Sequence, residues 1–305
     1  MKLSVLIATY NRDMLLRKAL AALVDRSNMK ADEIVIVNGG DDRADSVVRE
    51  FQARTETAIR LIRTVNKNLA CSRNIGLRAC SGDIIAMTDD DGEVGSEWVA
   101  QMKEQHARHP EAGAVGGAVL GSSSHNNFLS RICDIVTFSS PSSPCYVRTL
   151  PGVNISYKRE VVEAVGLQDE ALFRGEDVDY NWRVKQLGYE IFYHPEIVVI
   201  HHHRPTLSGF LRQHHHYGRA YVIVRRKWPA MYCVYPHRIR TFRDILKLGY
   251  FFAAIVVEPL RFCSKLERWF DKGKAFPLLV VCQCAWRGGM LLQFWKTHGE
   301  RRGKC

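Results

Sequence analysis

Three consecutive acids, Asp89, Asp90 and Asp91, follow the largely apolar run 84–88. Carboxylates at the end of a buried strand repel one another, and a divalent cation relieves that repulsion. Mg²⁺ and Mn²⁺ prefer such oxygens and bridge to the phosphates of a nucleotide diphosphate. Alternate residues of an extended segment point the same way, so Asp89 and Asp91 share a face and Asp90 points elsewhere. The alternative is a simple turn, because Asp favours turns and Gly92 follows.

The segments around these acids alternate in the order of an α/β protein. Strand-like runs lie at about 3–8, 33–38, 59–64 and 83–88, and helix-like segments at about 13–25, 43–53 and 69–80. This rhythm predicts a mostly parallel sheet covered by helices. Open α/β sheets bind ligands at the carboxyl ends of their strands. The polar residues that follow the four strands are therefore predicted to line one site.

Beyond the acids the pattern is less regular. Ser96 is predicted to cap a helix that ends near His109, and a Gly-rich strand is predicted over Ala112–Leu120. Residues 121–150 are rich in Ser and Pro, which indicates either a long surface loop near the site or a mere linker.

Four stretches resemble the inverting family-two nucleotide-sugar glycosyltransferases. They occur in the family's order, at residues 4–12, 68–76, 82–91 and 175–183. Each stretch alone is weak, but together they are specific, and the resemblance extends over residues 1 to about 225. It implies a GT-A-like, Rossmann-type nucleotide-sugar domain. It also implies transfer of a sugar from a nucleotide-diphosphate donor, a UDP-sugar by preference, to a hydroxyl of a glycan or lipid-linked acceptor.

The resemblance assigns roles to single residues. The donor-binding residues that it implies are Thr9, Tyr10, Arg12, Asn38, Arg73, Asp89 and Asp90. Within that set Arg73 is placed near the pyrophosphate, where a cation complements phosphate; its alternative role is a surface salt bridge. Asp89 and Asp91 are placed as the Asp-x-Asp pair that serves the ribose and a metal cofactor, Mn²⁺ or Mg²⁺.

The chain departs from the family at Asn38, where an aspartate usually accepts a hydrogen bond from the base. An Asn carbonyl can accept that bond without the charge. The neighbouring Asp41 or Asp42 is an alternative acceptor.

Inverting transfer needs a base that removes the proton of the attacking hydroxyl. The resemblance assigns this role to Asp177, and it makes Glu176 the group that orients the acceptor or the base. Both residues begin a predicted helix, where the macrodipole favours negative charge, so a purely structural role is the alternative.

Histidines occur in two triplets, 201–203 and 214–216. In an extended segment His201 and His203 point together and can complete a metal shell begun by Asp91. The resemblance supports one histidine ligand here and leaves these two as equal candidates. A structural zinc site is the alternative, although the usual cysteine partners are missing. The triplet 214–216 is expected at a surface or an interface.

The positive charge of the chain lies at its C-terminal end. Residues 1–203 hold 23 Lys+Arg and 27 Asp+Glu, net −4, whereas residues 204–305 hold 20 and 5, net +15. We expect a catalytic domain over 1–229, with a nucleotide-sugar half at about 1–120 and an acceptor half at 121–229. A basic, amphipathic helical appendage is expected over 230–305. Its mixture of cations and aromatics suits an anionic membrane surface.

The two apolar stretches of the appendage, Leu246–Leu260 and Pro277–Trp295, both contain charged residues, so we expect helices lying in the membrane interface rather than spans. A helical subdomain packed on the core or on a second subunit is the alternative. Nine cysteines without a Cys-x-x-Cys motif and a strand directly after Met1 favour a reducing cytoplasm without a secretory signal. We therefore expect a peripheral protein on the inner face of the cell membrane, acting in cell-envelope polysaccharide biosynthesis and binding no nucleic acid. The oligomeric state stays open.

Two other functions share these features. A nucleotidyltransferase acting on sugar phosphates should carry a Gly-rich phosphate loop near the N-terminus, and residues 8–12 have no glycine. A non-enzymatic membrane-binding protein would use the basic appendage alone.

Overall fold

The computed structural model describes residues 1–122, 128–138, 140–202, 206–235, 239–266 and 269–302. Contacts divide the chain into two units. The first contains residues 1–122 and 138–202, and the second contains residues 123–137 and 203–305.

The strands, all in the first unit, are β1 Leu3–Thr9, β2 Glu33–Asn38, β3 Ala58–Arg63, β4 Ile84–Asp89, β5 Gly92–Val94, β6 Ala112–Gly121, β7 Cys145–Val147, β8 Ile155–Lys158 and β9 Glu190–His201. The helices are α1 Asp13–Ala21, continued by a π-helical turn at Ala22–Arg26, α2 Arg43–Gln52, α3 Leu69–Ala79, α4 Trp98–Arg108, α5 Phe128–Thr137, α6 Arg159–Val165, α7 Glu176–Gln186, α8 Leu207–Lys227, α9 Phe242–Ser264 and α10 Trp269–Arg302.

The strands form one sheet in the order β3-β2-β1-β4-β8-β6-β9-β5, with β7 paired to β9. The sheet is parallel over β3-β2-β1-β4 and between β6 and β9, and β5, β7 and β8 join it antiparallel. Every residue of β1 and β2 is buried, because helices cover both faces. Val5 and Ile7 face one core, and Leu6 faces the other. The predicted α/β fold is confirmed.

Two local predictions are wrong. Ser96 does not cap α4, because the helix begins at Trp98 and the carbonyl of Ser96 instead accepts the N–H of Asn28 at 3.0 Å. The segment 121–150 is not one long loop, since it contains α5 and β7. Apolar residues of α5, such as Ile132, are buried in the core of the second unit, and this burial outweighs the Ser and Pro composition around them.

The second unit is helical over its described residues. Gly218 of α8 lies against α10, where a Cβ atom would come within 1.8 Å of the carbonyl oxygen of Trp286, so only glycine permits this approach. Because α8 packs along α10, it falls in the second unit, and the predicted catalytic domain over 1–229 stays a prediction.

One segment of α10, Trp269–Thr297, is long and apolar enough to cross a membrane by length and composition. Core helices of soluble proteins pass the same test, and 33% of this segment is buried within the protein. The predicted interfacial placement of the C-terminal helices therefore stays a prediction.

Candidate functional site

Asp90 fixes the loop that follows β1. β1 and β4 are parallel neighbours, so their carboxyl ends lie side by side. The hydroxyl of Thr9 donates to Oδ2 of Asp90 at 2.9 Å, and Arg12 donates through Nη1 to Oδ1 of Asp90 at 3.0 Å. Burial and the nearby charge of Asp91 raise the pKa of Asp90 to about 6. Asp90 and Asp91 form a turn after β4 rather than an extended segment, and Arg12 bonds both of them, so the predicted alternation does not hold here. The contact of Asp90 with a donor stays a prediction.

Asp91 lies beside His201 because β5 pairs antiparallel with the end of β9, with Gly92 opposite His201. Nε2 of His201 is 3.3 Å from Oδ1 of Asp91, and Arg12 donates to the other carboxylate oxygen at 2.8 Å. Burial acts against ionisation of Asp91, but the hydrogen bond from His201 and the charges of His201 and Arg12 lower its pKa to about 2. Burial likewise opposes the charge of His201, and its bond to Asp91 raises its pKa.

Asp91 and His201 fit a divalent cation only in part. Carboxylate oxygens suit Mn²⁺ and Mg²⁺, and imidazole is the commonest protein metal ligand. Over the described ranges of the chain, no three His, Cys, Asp or Glu side chains converge to hold a metal. Asp89 bonds Arg73 instead, and His203 lies outside the described residues. This donor set suits a cation whose remaining ligands are phosphate oxygens and water.

Arg73 joins the two carboxylate clusters. Its guanidinium is buried and donates through Nη2 to Asp89 at 2.7 Å and through Nη1 to Glu176 at 3.1 Å. Burial acts against the charge of Arg73, but the charges of Asp89, Glu176 and Asp177 raise its pKa. The space between Gly152 and the guanidinium of Arg73 is filled, because a Cβ atom on Gly152 would lie 2.6 Å from Nη1 of Arg73. The predicted contact of Arg73 with a pyrophosphate stays a prediction; its role as a surface salt bridge is excluded by burial.

Asp177 lies in the first turn of α7 and is partly exposed. Its Oδ2 accepts the N–H of Gly152 at 3.1 Å, and its Oδ1 accepts the N–H of Val178 at 2.8 Å. Glu176 is buried, and burial together with the charge of Asp177 raises its pKa, while Arg73 opposes that rise. Glu176 is buried and bonded to Arg73, so Asp177 is the more accessible of the two carboxylates.

Asn38 is enclosed by the loop that follows β2. Its Nδ2 donates to the carbonyl of Asp41 at 2.7 Å and to Asp45 at 3.3 Å, and its Oδ1 accepts the N–H of Gly40 at 2.8 Å. Asn38 is 1% exposed and therefore offers a nucleotide base almost no surface to contact. The predicted contact of Asn38 with the base stays a prediction. Tyr10, in contrast, is half-exposed at the same edge.

Sequence reasoning missed the pair Glu93 and His202. Nε2 of His202 lies 2.6 Å from Oε1 of Glu93, and Arg26 donates to Oε2 of the same carboxylate. The N–H of His202 donates to the carbonyl of Asp91 at 2.9 Å. This pair holds β5 against β9 and so presents Asp91 to His201. The alternating acids of 91–93 and the adjacent histidines were a usable signal once an antiparallel pairing was assumed.

Comparison with known proteins identifies the family. The model of glycosyl transferase family 2 matches residues 4–165. The chain belongs to this family. The predicted family, a family of glycosyltransferases, is thereby confirmed.

Three relatives show how far this family resemblance extends. The probable glycosyltransferase YdaM of Bacillus subtilis is 26% identical over 270 residues, which are 82% of this chain and 61% of that protein. The pre-mycofactocin glycosyltransferase of Mycobacterium tuberculosis is 28% identical over 50% of this chain and 34% of its own length. The glucosyl-dolichyl phosphate glucuronosyltransferase of Haloferax volcanii is 26% identical over 55% of this chain and 56% of its own length. The chain thus spans less than two thirds of the length of each.

Solved structures show the same fold. The mannosyltransferase PcManGT from Pyrobaculum calidifontis, in complex with GDP-Man and Mn²⁺, superposes with a TM-score of 0.66 at 17% identity, covering 97% of this chain and 87% of that one. GalNAc-T7 with UDP, GalNAc and Mn²⁺ has a TM-score of 0.56 at 15% identity, covering 91% and 58%. The GT-A type of fold predicted for this family-2 chain is confirmed.

Proposed function

We propose that this chain is a metal-dependent, inverting glycosyltransferase that moves a sugar from a nucleotide-diphosphate donor to an acceptor hydroxyl. One observation carries the proposal: the guanidinium of Arg73 contacts both Asp89, at the end of β4, and Glu176, at the start of α7. A donor held at the strand ends would therefore lie close to the carboxylate of Asp177.

Asp177 is the proposed general base. As the acceptor hydroxyl attacks the anomeric carbon, Asp177 takes its proton, and the bond to the diphosphate breaks on the opposite face of the sugar. The N–H of Gly152 holds one carboxylate oxygen of Asp177. Fixing the base in this way lowers the entropic cost of the attack.

Asp91 and His201 are the proposed metal ligands. A bound Mn²⁺ or Mg²⁺ would offset the charge of the leaving diphosphate. Asp91 is suited to this role because its pKa stays near 2 and its carboxylate remains ionised. Asp89, held by Arg73, is the proposed partner of the ribose.

Arg73 is a positioning residue in this proposal. Its charge stabilises the ionised form of buried Glu176, which would otherwise take up a proton beside Asp177. The same guanidinium holds Asp89 at 2.7 Å. Arg73 thereby holds Asp89, on the donor side, in a fixed position relative to Glu176, the neighbour of the proposed base.

For the donor we propose a UDP-sugar, and for the acceptor a hydroxyl of a glycan or a lipid-linked precursor in cell-envelope polysaccharide synthesis. One relative acts, by its name, on a glucosyl-dolichyl phosphate. The net charge of +15 over residues 204–305, from 20 Lys+Arg and 5 Asp+Glu, supports association with an anionic membrane.

A donor screen tests the proposal. Thermal unfolding is measured with UDP- and GDP-sugars, with Mn²⁺ or with a chelator, because a donor that binds only the folded state must raise the unfolding temperature. We expect one donor to stabilise the protein with metal and to lose most of that effect with chelator. The anomeric configuration of the product, read by proton NMR, tests inversion. If no donor stabilises the protein or is turned over, the transferase proposal fails.

A further inference from the structure

One side of α9 exposes large apolar side chains. At 3.6 residues per turn, the positions of its exposed large apolar residues fall on one side of the helix and form one stripe. We define the α9 stripe as Ile245, Leu246, Phe252, Val256 and Leu260, which are between 49% and 59% exposed. Soluble surfaces rarely carry so continuous an apolar patch without a partner.

The stripe belongs to a firmly packed helix. Phe251 and Ala254, on the opposite side of α9, are buried. Arg287 of α10 is buried beneath them and donates through Nε to the carbonyl of Phe251 at 2.6 Å and through Nη2 to the hydroxyl of Tyr235 at 2.8 Å. Helix α9 is thus held by one face, which leaves the other free to meet a partner.

The charge around the stripe indicates the chemistry of that partner. Residues 245–260, which contain the stripe, hold one lysine and one acid, Glu258, and Glu258 pairs with Arg261 at 2.9 Å. Arg243, Lys247 and Arg261 are exposed, and at 3.6 residues per turn they share the side of α9 that adjoins Leu246 and faces away from Phe252. A helix with an apolar face and a cationic border is suited to the headgroup region of an anionic bilayer, where it lies in the plane of the membrane.

We propose that the α9 stripe is the surface by which this protein docks on anionic lipid. The inference rests on the proposed membrane-associated transferase and names the face that makes the contact. A second copy of the chain fits less well, since a two-fold interface would bring the cationic border of α9 close to its own copy.

The test compares two glutamate substitutions in the full chain. Phe252→Glu places a charge on the stripe, and Leu187→Glu makes the same kind of change at the end of α7 in the first unit, where Leu187 is 52% exposed. Binding is measured by co-sedimentation with vesicles of phosphatidylcholine alone and of phosphatidylcholine mixed with phosphatidylserine. We expect Phe252→Glu to weaken binding to the mixed vesicles about tenfold or more, and Leu187→Glu to bind like the unmodified chain.

Two further variants separate the apolar and ionic contributions. Val256→Gln removes an apolar contact without adding charge, and it serves in place of Phe252→Glu if that variant does not fold. Arg243→Gln should weaken binding about fivefold at low salt and less at high salt, because salt screens the ionic part only.

The outcomes separate docking from catalysis. Hydrolysis of a soluble donor should be the same for Phe252→Glu and the unmodified chain. If neither protein turns over a donor, but Phe252→Glu loses vesicle binding and Leu187→Glu keeps it, the docking proposal stands and the transferase proposal fails. Vesicle binding that is unchanged by Phe252→Glu and Val256→Gln overturns the docking surface. A dimer seen by light scattering that Phe252→Glu converts to monomer, without vesicle binding by the unmodified chain, assigns the stripe to a second copy.

Discussion

The sheet edge around Arg73 and the exposed side of α9 depart from an ordinary globular protein in opposite ways. At the sheet edge, charged side chains are buried, and Arg73 contacts Asp89 and Glu176 within 3.1 Å. On α9, apolar side chains such as Phe252 and Leu260 are exposed. Buried charge and exposed apolar surface are the informative observations, because ordinary packing explains neither. The first marks where chemistry is proposed, and the second where a partner is proposed.

The largest expected effect is at the proposed metal ligand. Asp91→Asn keeps the volume of the side chain but removes the charge that His201 and a cation share. We expect loss of transfer and of Mn²⁺-dependent donor stabilisation, with the fold retained. Asp25→Asn, an exposed aspartate paired with Arg54, is the matched control. Near-normal turnover by Asp91→Asn would remove the metal hypothesis.

The proposed base should show a smaller and more selective effect. Asp177→Asn retains the contacts that hold a donor but cannot take a proton, so turnover should fall about 10²–10⁴-fold while donor affinity is kept. Glu163→Gln, an exposed carboxylate of α6, controls for the change of charge. Steady-state kinetics and donor-induced thermal shifts separate the two quantities. Equal loss of donor binding would mean that Asp177 shapes the donor site instead.

Substitution of the buried Arg73 tests whether an ion pair at the sheet edge contributes more to the free energy of unfolding than an exposed ion pair. Arg73→Met leaves Asp89 and Glu176 without their shared partner, which should lower the free energy of unfolding by about 3–5 kcal/mol. Arg17→Met breaks the exposed pair with Glu50 and should cost about 1 kcal/mol or less. Urea unfolding measures both.

Arg73→Lys sharpens that measurement, since it keeps the charge but lacks the fork that reaches two carboxylates. We expect an unfolding free energy between those of the unmodified chain and Arg73→Met. Equal costs for Arg73→Met and Arg17→Met would show that the sheet edge gains nothing from its buried cation.

A buried histidine gives the smallest expected effect. Nε2 of His106 lies 2.9 Å from the hydroxyl of Ser156, and burial followed by the charge of Lys158 lowers the pKa of His106 to about 3. Below its unfolded pKa of about 6.5, the unfolded chain binds a proton that the folded chain refuses, so stability falls as the pH drops. The contribution is at most about 1.4 kcal/mol per pH unit between about 6.5 and 3.

Urea unfolding between pH 7 and pH 5 measures this slope. His106→Gln cannot take up the proton, so we expect its stability to decline less steeply over this interval than that of the unmodified chain. Parallel slopes for the two proteins would contradict a neutral, buried His106.

The sequence predictions were accurate for features that depend on neighbouring residues, and they failed for features that depend on contacts between distant parts of the chain. The four early strands were predicted within about one or two residues, because alternating and continuous apolar runs report burial locally. Ser96 was wrongly predicted as a cap, because it lies in a turn in which the N–H of Trp98 bonds the carbonyl of Gly95, and α4 begins only at Trp98. Helix α5 was missed because its apolar side is buried by helices α8, α9 and α10, the first of which begins 70 residues after α5 ends.

The sequence by itself determined the fold class and the family, because periodicity and local motifs carry that information. Only the tertiary structure decided which groups meet. The register of β5 against β9 places His201 beside Asp91, across 110 positions of sequence. The end of β4 and the start of α7 both meet α3, and together they give Arg73 its two carboxylates. Long-range pairing depends on how whole elements pack, and a local pattern of side chains does not encode it.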